Sequence, residues 1–117
     1  MVPINVLIIG NGGREHALAR GLNESSMVEN IHIAPGNIGT AKIGTNHDID
    51  ISKSKNIIKL ATKLNIDLAV IGPENPLVDG VADDLKIINI PCFGPVSKLA
   101  RLEGSKKYAK ELMKSLG

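Results

Sequence analysis

Apolar residues along this chain follow two rhythms. Four short apolar segments recur, several of them nearly continuous, and each stops at Gly or Pro: INVLIIG at 4–10, ENIHIAP at 29–35, DLAVIGP at 67–73 and IPCFGP at 90–95. Between them the apolar positions spread to a spacing of three and four. Ala17, Leu18 and Leu22 form the first such set, Ile57, Leu60, Ala61 and Leu64 the second, and Val78, Val81, Ala82 and Leu85 a weaker third over 78–88. Continuous runs are the signature of strands covered on both faces, and the wider spacing is that of amphipathic helices. Their alternation, with right-handed crossovers, predicts an α/β domain built on a doubly wound parallel sheet. In such sheets ligands sit outside the carboxyl ends of the strands. Those ends here read GNGG, APGN, GPENP and FGP. Turn chemistry alone accounts for Gly, Pro and Asn at such places; their gathering on one edge makes that edge a candidate crevice.

After Pro95 the alternation gives way to VSKLARLEGSKKYAKELMKSLG, which offers no further strand. Ser97 and Ser105 are candidate helix caps with Gly104 as a break between two short helices, and Lys106, Lys107, Lys110 and Lys114 read as a solvated helix face. With 117 residues the chain is expected to form one domain over 1–117, in which 97–117 is a helical lead into something further on. There is no internal repeat and no low-complexity stretch.

Composition removes several function classes. Phe93 and Tyr108 are the only aromatic residues, so the core must be aliphatic and a base-stacking surface is missing. A net charge of +2 is too small to indicate a nucleic-acid partner. Cys92 is the only cysteine, which rules out an internal disulfide and a cysteine-based zinc site and reads most simply as a small core residue. His16, His32 and His47 have no metal-ligand spacing, and no Ser-His-Asp or Cys-His grouping stands out. No apolar run approaches the ~20 residues of a membrane span. The N-terminus, MVPINVLIIG, lacks the basic region of a signal peptide. A cytoplasmic protein with neither membrane nor nucleic acid as partner is the expectation.

The stretch VLIIGNGGREHALARGL at 6–22 carries the most chemistry, because a strand that stops in glycines and restarts as a helix leaves backbone amides free at a positive dipole end. A dinucleotide fingerprint needs glycines at 10, 12 and 15, but position 15 is Glu15. It also needs an acidic residue at the end of the second strand, where HIAPGN has none. A phosphate-binding P-loop needs Lys and Ser or Thr after its last glycine, and GGREHA supplies neither. What remains is Gly12 and Gly13, whose backbones can approach an oxyanion, Arg14, which can fork onto phosphate, and Glu15, a first-turn carboxylate or an acceptor for a ligand hydroxyl. Surface solvation is the competing reading for Arg14 and Glu15. At the third strand end, GPENPLVDG, Pro73 and Pro76 stiffen the loop and set Glu74 where it can accept two vicinal sugar hydroxyls; an exposed loop acid is the plainer alternative. Asp79, Asp83 and Asp84 are assigned to a helix start and solvent.

Taken together, GNGGREHAL, APGNIGTA, NIDLAVIGPENPLVDGVAD and FGPVSKLARLEGSKKYAKELM resemble, in this order and spacing, the phosphoribosylamine-glycine ligases (glycinamide ribonucleotide synthetases) of purine biosynthesis. The resemblance covers nearly the whole chain but only the N-terminal, Rossmann-like domain of a family several times longer. It implies a ligase in which ATP phosphorylates the carboxylate of glycine and the amine of 5-phosphoribosylamine displaces phosphate, giving glycinamide ribonucleotide, ADP and phosphate. It implies ATP and magnesium or manganese as cofactors, held by downstream ATP-grasp domains, with no cofactor, no metal ligand and no catalytic residue in the present piece, which alone is expected to be inactive. The glycine loop of Gly10, Asn11, Gly12, Gly13, Arg14 and Glu15 and the loop of Pro73 and Glu74 would then face the phosphoribosyl substrate, with Asn37 and Thr40 as polar candidates on a neighbouring loop. Two other readings stay open on the residues alone: an ATP-grasp ligase of nucleotide or biotin metabolism, and a stand-alone nucleotide-binding or regulatory domain.

Overall fold

The computed structural model describes residues 3–10, 12–71 and 78–93, with the backbone alone for Arg14, residues 78–80, Ala82 and Phe93. The readings made for Asn11, for Pro73 and Glu74 and for 97–117 lie outside the described residues. The elements run β1 (Ile4–Gly10), α1 (Gly13–Asn23), β2 (Val28–Pro35), α2 (Ile38–Ala41), β3 (Thr45–Asn46), α3 (Ser54–Lys63), β4 (Leu68–Ile71), α4 (Val78–Ile87) and β5 (Cys92–Phe93). The strands form one sheet in the order β3-β2-β1-β4-β5, and every pairing is parallel. This is the doubly wound sheet expected from the alternation, with one strand more than the four apolar runs. The addition, β3, is two polar residues paired to His32 and Ile33 at the sheet edge, too short to leave a periodic trace.

Burial explains why β1 and β4 read as unbroken apolar runs. Val6, Leu7, Ile8 and Ile9 have no exposed surface, nor do Leu68, Ala69, Val70 and Ile71. Side chains alternate across the sheet. Val6, Ile8, Leu68 and Val70 pack with Leu18, Ala19 and Leu22 of α1 on one face. Leu7, Ile9, Ala69 and Ile71 pack on the other with Ile57, Leu60 and Ala61 of α3 and Val81 and Leu85 of α4. The stripe of α1 differs in one position from the sequence spacing: Ala17 is exposed, and Ala19 completes the buried face.

Helices α3 and α4 end in the same way, and their ends set the next strands. After α3, Asn65 takes a positive φ of 55°, its N–H reaches Thr62 O (3.3 Å), and Ile66 N–H reaches Ala61 O (3.0 Å). After α4, Asn89 has φ 63°, its N–H bonds Lys86 O (3.0 Å), and Ile90 N–H bonds Leu85 O (2.9 Å). Both are Schellman motifs in which a left-handed Asn closes the helix and the following Ile turns into the core. Asn is the side-chain-bearing residue that tolerates this region best.

Near the sheet edge, His32 of β2 and His47, just after β3, meet through Nδ1 and Nε2 at 2.9 Å, with ring centroids 5.0 Å apart. Burial lowers the pKa of His32, helped by the charge of His47; burial lowers that of His47, helped by Lys63.

Two predictions follow from these elements. Asn65→Val forces a β-branched residue into the left-handed region and should cost about 1–2 kcal/mol in urea unfolding, whereas Asn65→Gly should leave stability unchanged or slightly raised. The histidine pair makes stability depend on pH. With both folded values below the ordinary 6.5, the unfolded chain binds more protons as pH falls through that value. Stability should therefore be full above about pH 6.5 and decline below it, and the His32→Gln/His47→Gln double variant should show a shallower decline in denaturant midpoints between about pH 7.5 and 5.5.

Candidate functional site

The strand order places the crevice. Gly10 at the end of β1 is in register with Pro35 of β2, and Ile9 with Ile71 of β4, so three strands finish side by side. With β2 and β3 on one flank of β1 and β4 and β5 on the other, the winding reverses between β1 and β4. Helices α1 and α4 pack on opposite faces of the sheet, the arrangement in which doubly wound sheets carry a ligand crevice outside their strand ends.

The glycine turn is shaped by Glu15. Gly10 has φ 146°, and a Cβ there would collide with the Glu15 carboxylate, so the position accepts glycine for both backbone and space. Glu15 is itself buried, with 7% of its surface exposed, and its Oε2 accepts the Gly12 N–H at 3.1 Å. This is one half of a capping box. The other half is missing because Gly12, the N-cap, has no side chain to offer. The first intrahelical bond is His16 N–H to Gly12 O (3.2 Å), so no side chain of the cap takes the amides of Gly13, Arg14 and Glu15. Around Gly13 a Cβ would meet nothing within 4 Å. The donors available to an anion are thus shifted one residue beyond the Gly12-Gly13 pair picked out in the sequence. The amide of Gly12 is committed to Glu15, while those of Gly13 to Glu15 stand at the positive end of α1.

Beside this turn lies the loop between β2 and α2. Gly36, at φ 81°, donates its N–H to Gly10 O (3.1 Å), and Asn37 Nδ2 donates to Gly12 O (3.3 Å), so the loop is tied to the turn at two places. Asn37 caps α2, its Oδ1 accepting the Thr40 N–H at 2.9 Å while its own N–H donates to Thr40 Oγ1 at 2.8 Å. Thr40 has no exposed surface, which sets it behind the loop as part of its frame; Ile38 stands 85% exposed on the rim.

Two residues that frame this loop were not singled out for it in the sequence. Asn46 of β3 bonds Thr40 and Asn37, and the ring of His16 fills the space over Gly39, where a Cβ would come within 2.7 Å of it. An Asn in a polar segment and a His in a helix give no periodic signal, and only the tertiary pairing brings them to the loop. Cys92 is partly buried in β5, and burial pushes its thiol up to about 11, so it stays protonated at neutral pH. Among the described residues no group of three or more His, Cys, Asp or Glu is placed to hold a metal ion, and no helix is long and apolar enough to cross a membrane.

Comparison with known proteins gives concordant results. Residues 4–103 match the family model described as phosphoribosylglycinamide synthetase, N domain. The chain is 48% identical over 114 residues to a phosphoribosylamine-glycine ligase of Mycobacterium leprae, covering 97% of this chain and 27% of that protein. It is 42% identical over 118 residues to a bifunctional purine biosynthetic protein of Schizosaccharomyces pombe, covering 97% of this chain and 15% of that one. A crystal structure of a phosphoribosylamine-glycine ligase from Thermotoga maritima superposes with a TM-score of 0.52 at 35% identity, over 96% of this chain and 25% of the other. The chain therefore spans about a quarter, or less, of the length of these relatives. On the match over most of its length, the chain belongs to the phosphoribosylglycinamide synthetase N-domain family.

Proposed function

We propose that the full-length protein is a phosphoribosylamine-glycine ligase and that residues 1–117 supply the phosphoribosyl side of its active site. The observation that carries this reading is the set of amides from Gly13 to Glu15 that no cap side chain takes, at the switch point of the sheet in a chain of this family. A 5′-phosphate is the ligand group such a helix start suits, and the Arg14 guanidinium is the side chain to fork onto it. Glu74, three residues after β4 in the chain, accepts the vicinal ribose hydroxyls, with Gly10, Asn11 and Pro73 as its neighbours at the substrate and Asn37 on the neighbouring rim. Thr40 contributes by holding that rim in place.

In the proposed reaction a glycine carboxylate oxygen attacks the γ-phosphorus of ATP, releasing ADP and leaving a glycyl phosphate. The amine of phosphoribosylamine then attacks the acyl carbon, phosphate departs with the C–O bond pair, and the amine loses a proton. ATP and its magnesium or manganese are supplied by the downstream ATP-grasp domains, which are the partners of this domain in the same chain. The domain's own part is to hold the phosphoribosyl group so that the amine meets the acyl carbon, a positional contribution.

Full-length protein should form ADP only when both glycine and phosphoribosylamine are present, and residues 1–117 alone should form none; turnover by the isolated domain would overturn the division of labour. Glu74→Ala in the full-length protein should raise KM for phosphoribosylamine by roughly tenfold or more, the loss of hydrogen bonds to a charged acceptor, with KM for ATP little changed. Equal losses for both substrates would remove the ribose role.

A further inference from the structure

Three hydrogen bonds between the segment after β2 and the end of β3 close into a ring. Asn37 N–H donates to Thr40 Oγ1 (2.8 Å), the Thr40 hydroxyl donates to Asn46 Oδ1 (2.7 Å), and Asn46 Nδ2 donates to the Asn37 carbonyl (2.8 Å). The Thr40 hydroxyl also lies 3.0 Å from the Asn37 carbonyl. It has one proton, however, and the shorter contact, on an oxygen that the Asn46 amide does not already serve, assigns that proton to Asn46. The ring in turn fixes which way the Asn46 amide faces.

Asn46 does more than close the ring. Its side chain lies against Gly36, where any Cβ would collide with Oδ1 and where φ is 81°. On the other side of the same loop the His16 ring sits over Gly39. A four-residue helix such as α2 has no stability of its own, so its position rests on these neighbours. The held loop reaches the glycine turn through Asn37 Nδ2 on the Gly12 carbonyl (3.3 Å) and Gly36 N–H on the Gly10 carbonyl (3.1 Å).

From this chain of contacts we infer that Asn46 is a positioning residue for the phosphoribosyl side of the reaction, acting through Asn37 on the turn that presents the first amides of α1. It touches no substrate. The inference rests on the ligase reading above, and the ring geometry supplies a test that separates the two. Asn46→Asp keeps the shape and the acceptor for Thr40 but turns the donor facing the Asn37 carbonyl into a carboxylate oxygen. Protonation of that carboxyl restores a donor, so the defect should shrink at lower pH.

The experiment measures the full-length protein in the reverse direction, with glycinamide ribonucleotide, ADP and phosphate as substrates. Asn46→Asp should raise KM for glycinamide ribonucleotide by about tenfold with KM for ADP within about twofold, and its ratio to the wild-type KM should fall as pH is lowered. Unchanged KM values, or equal rises for both substrates at every pH, would overturn the positioning role. Amide exchange on the same proteins decides the coupling without relying on turnover. Faster exchange in Asn46→Asp at Asn37, Gly36, Gly12 and His16, the hydrogen-bonded amides of the loop and turn, with the middle of β1 unaffected, supports it, and unchanged exchange there overturns it. A wild-type protein without activity toward glycinamide ribonucleotide would overturn both the ligase reading and the positioning of this substrate by Asn46, while the exchange pattern would still decide whether Asn46 controls the turn.

Discussion

Four consecutive residues of β1, Val6 to Ile9, lie without exposed surface between helices on both faces of the sheet, and the geometry of the crevice descends from that constraint. A strand covered on both sides has no room to bend away gradually and must reverse sharply at its carboxyl end. The reversal is made at Gly10, in a conformation that side chains rarely adopt, over a space already filled by the Glu15 carboxylate. Glu15 is what makes the tight turn compatible with an orderly helix start, since it satisfies the Gly12 amide from below. The same arrangement leaves the next three amides without a side-chain cap. Core burial, turn geometry and the uncapped start of α1 are in this way three consequences of one packing requirement.

The neighbouring loop is organised by a different economy. It has no apolar core of its own, with Ile38 exposed and α2 only four residues long, and it depends on side-chain hydrogen bonds among Asn37, Thr40 and Asn46 and on two glycines against which Asn46 and His16 pack. Small polar side chains fix the backbone direction of this loop without adding bulk. At the opposite, amino-terminal edge of the sheet, Asn5 serves a stabilising role of the same kind. Its N–H donates to Asp67 Oδ2 (2.8 Å), and its Oδ1 accepts from Asn30 Nδ2 (2.9 Å), linking β1 to the starts of β4 and β2.

The parallel sheet was legible in the sequence because burial on both faces writes unbroken apolar runs, and α1, α3 and α4 because one buried face writes a helical spacing. Strand β3 and helix α2 were not, since two polar residues and a single helical turn have no period to read. At the site, the glycine turn and Glu15 stood out through local chemistry. What the sequence left open was which of Glu15's two roles it takes in the fold, and the distance of 3.1 Å to the Gly12 amide puts its carboxylate in the cap. Asn46 and His16 went unread as loop supports because their partners lie 6 to 9 and 23 residues away along the chain.

The most direct test of this account is a crystal structure of the full-length protein with glycinamide ribonucleotide bound. The 5′-phosphate is expected within hydrogen-bonding distance of the Gly13 to Glu15 amides, with the ribose hydroxyls toward residues 72–77. A ribonucleotide seated elsewhere, with the start of α1 facing only water, would contradict it.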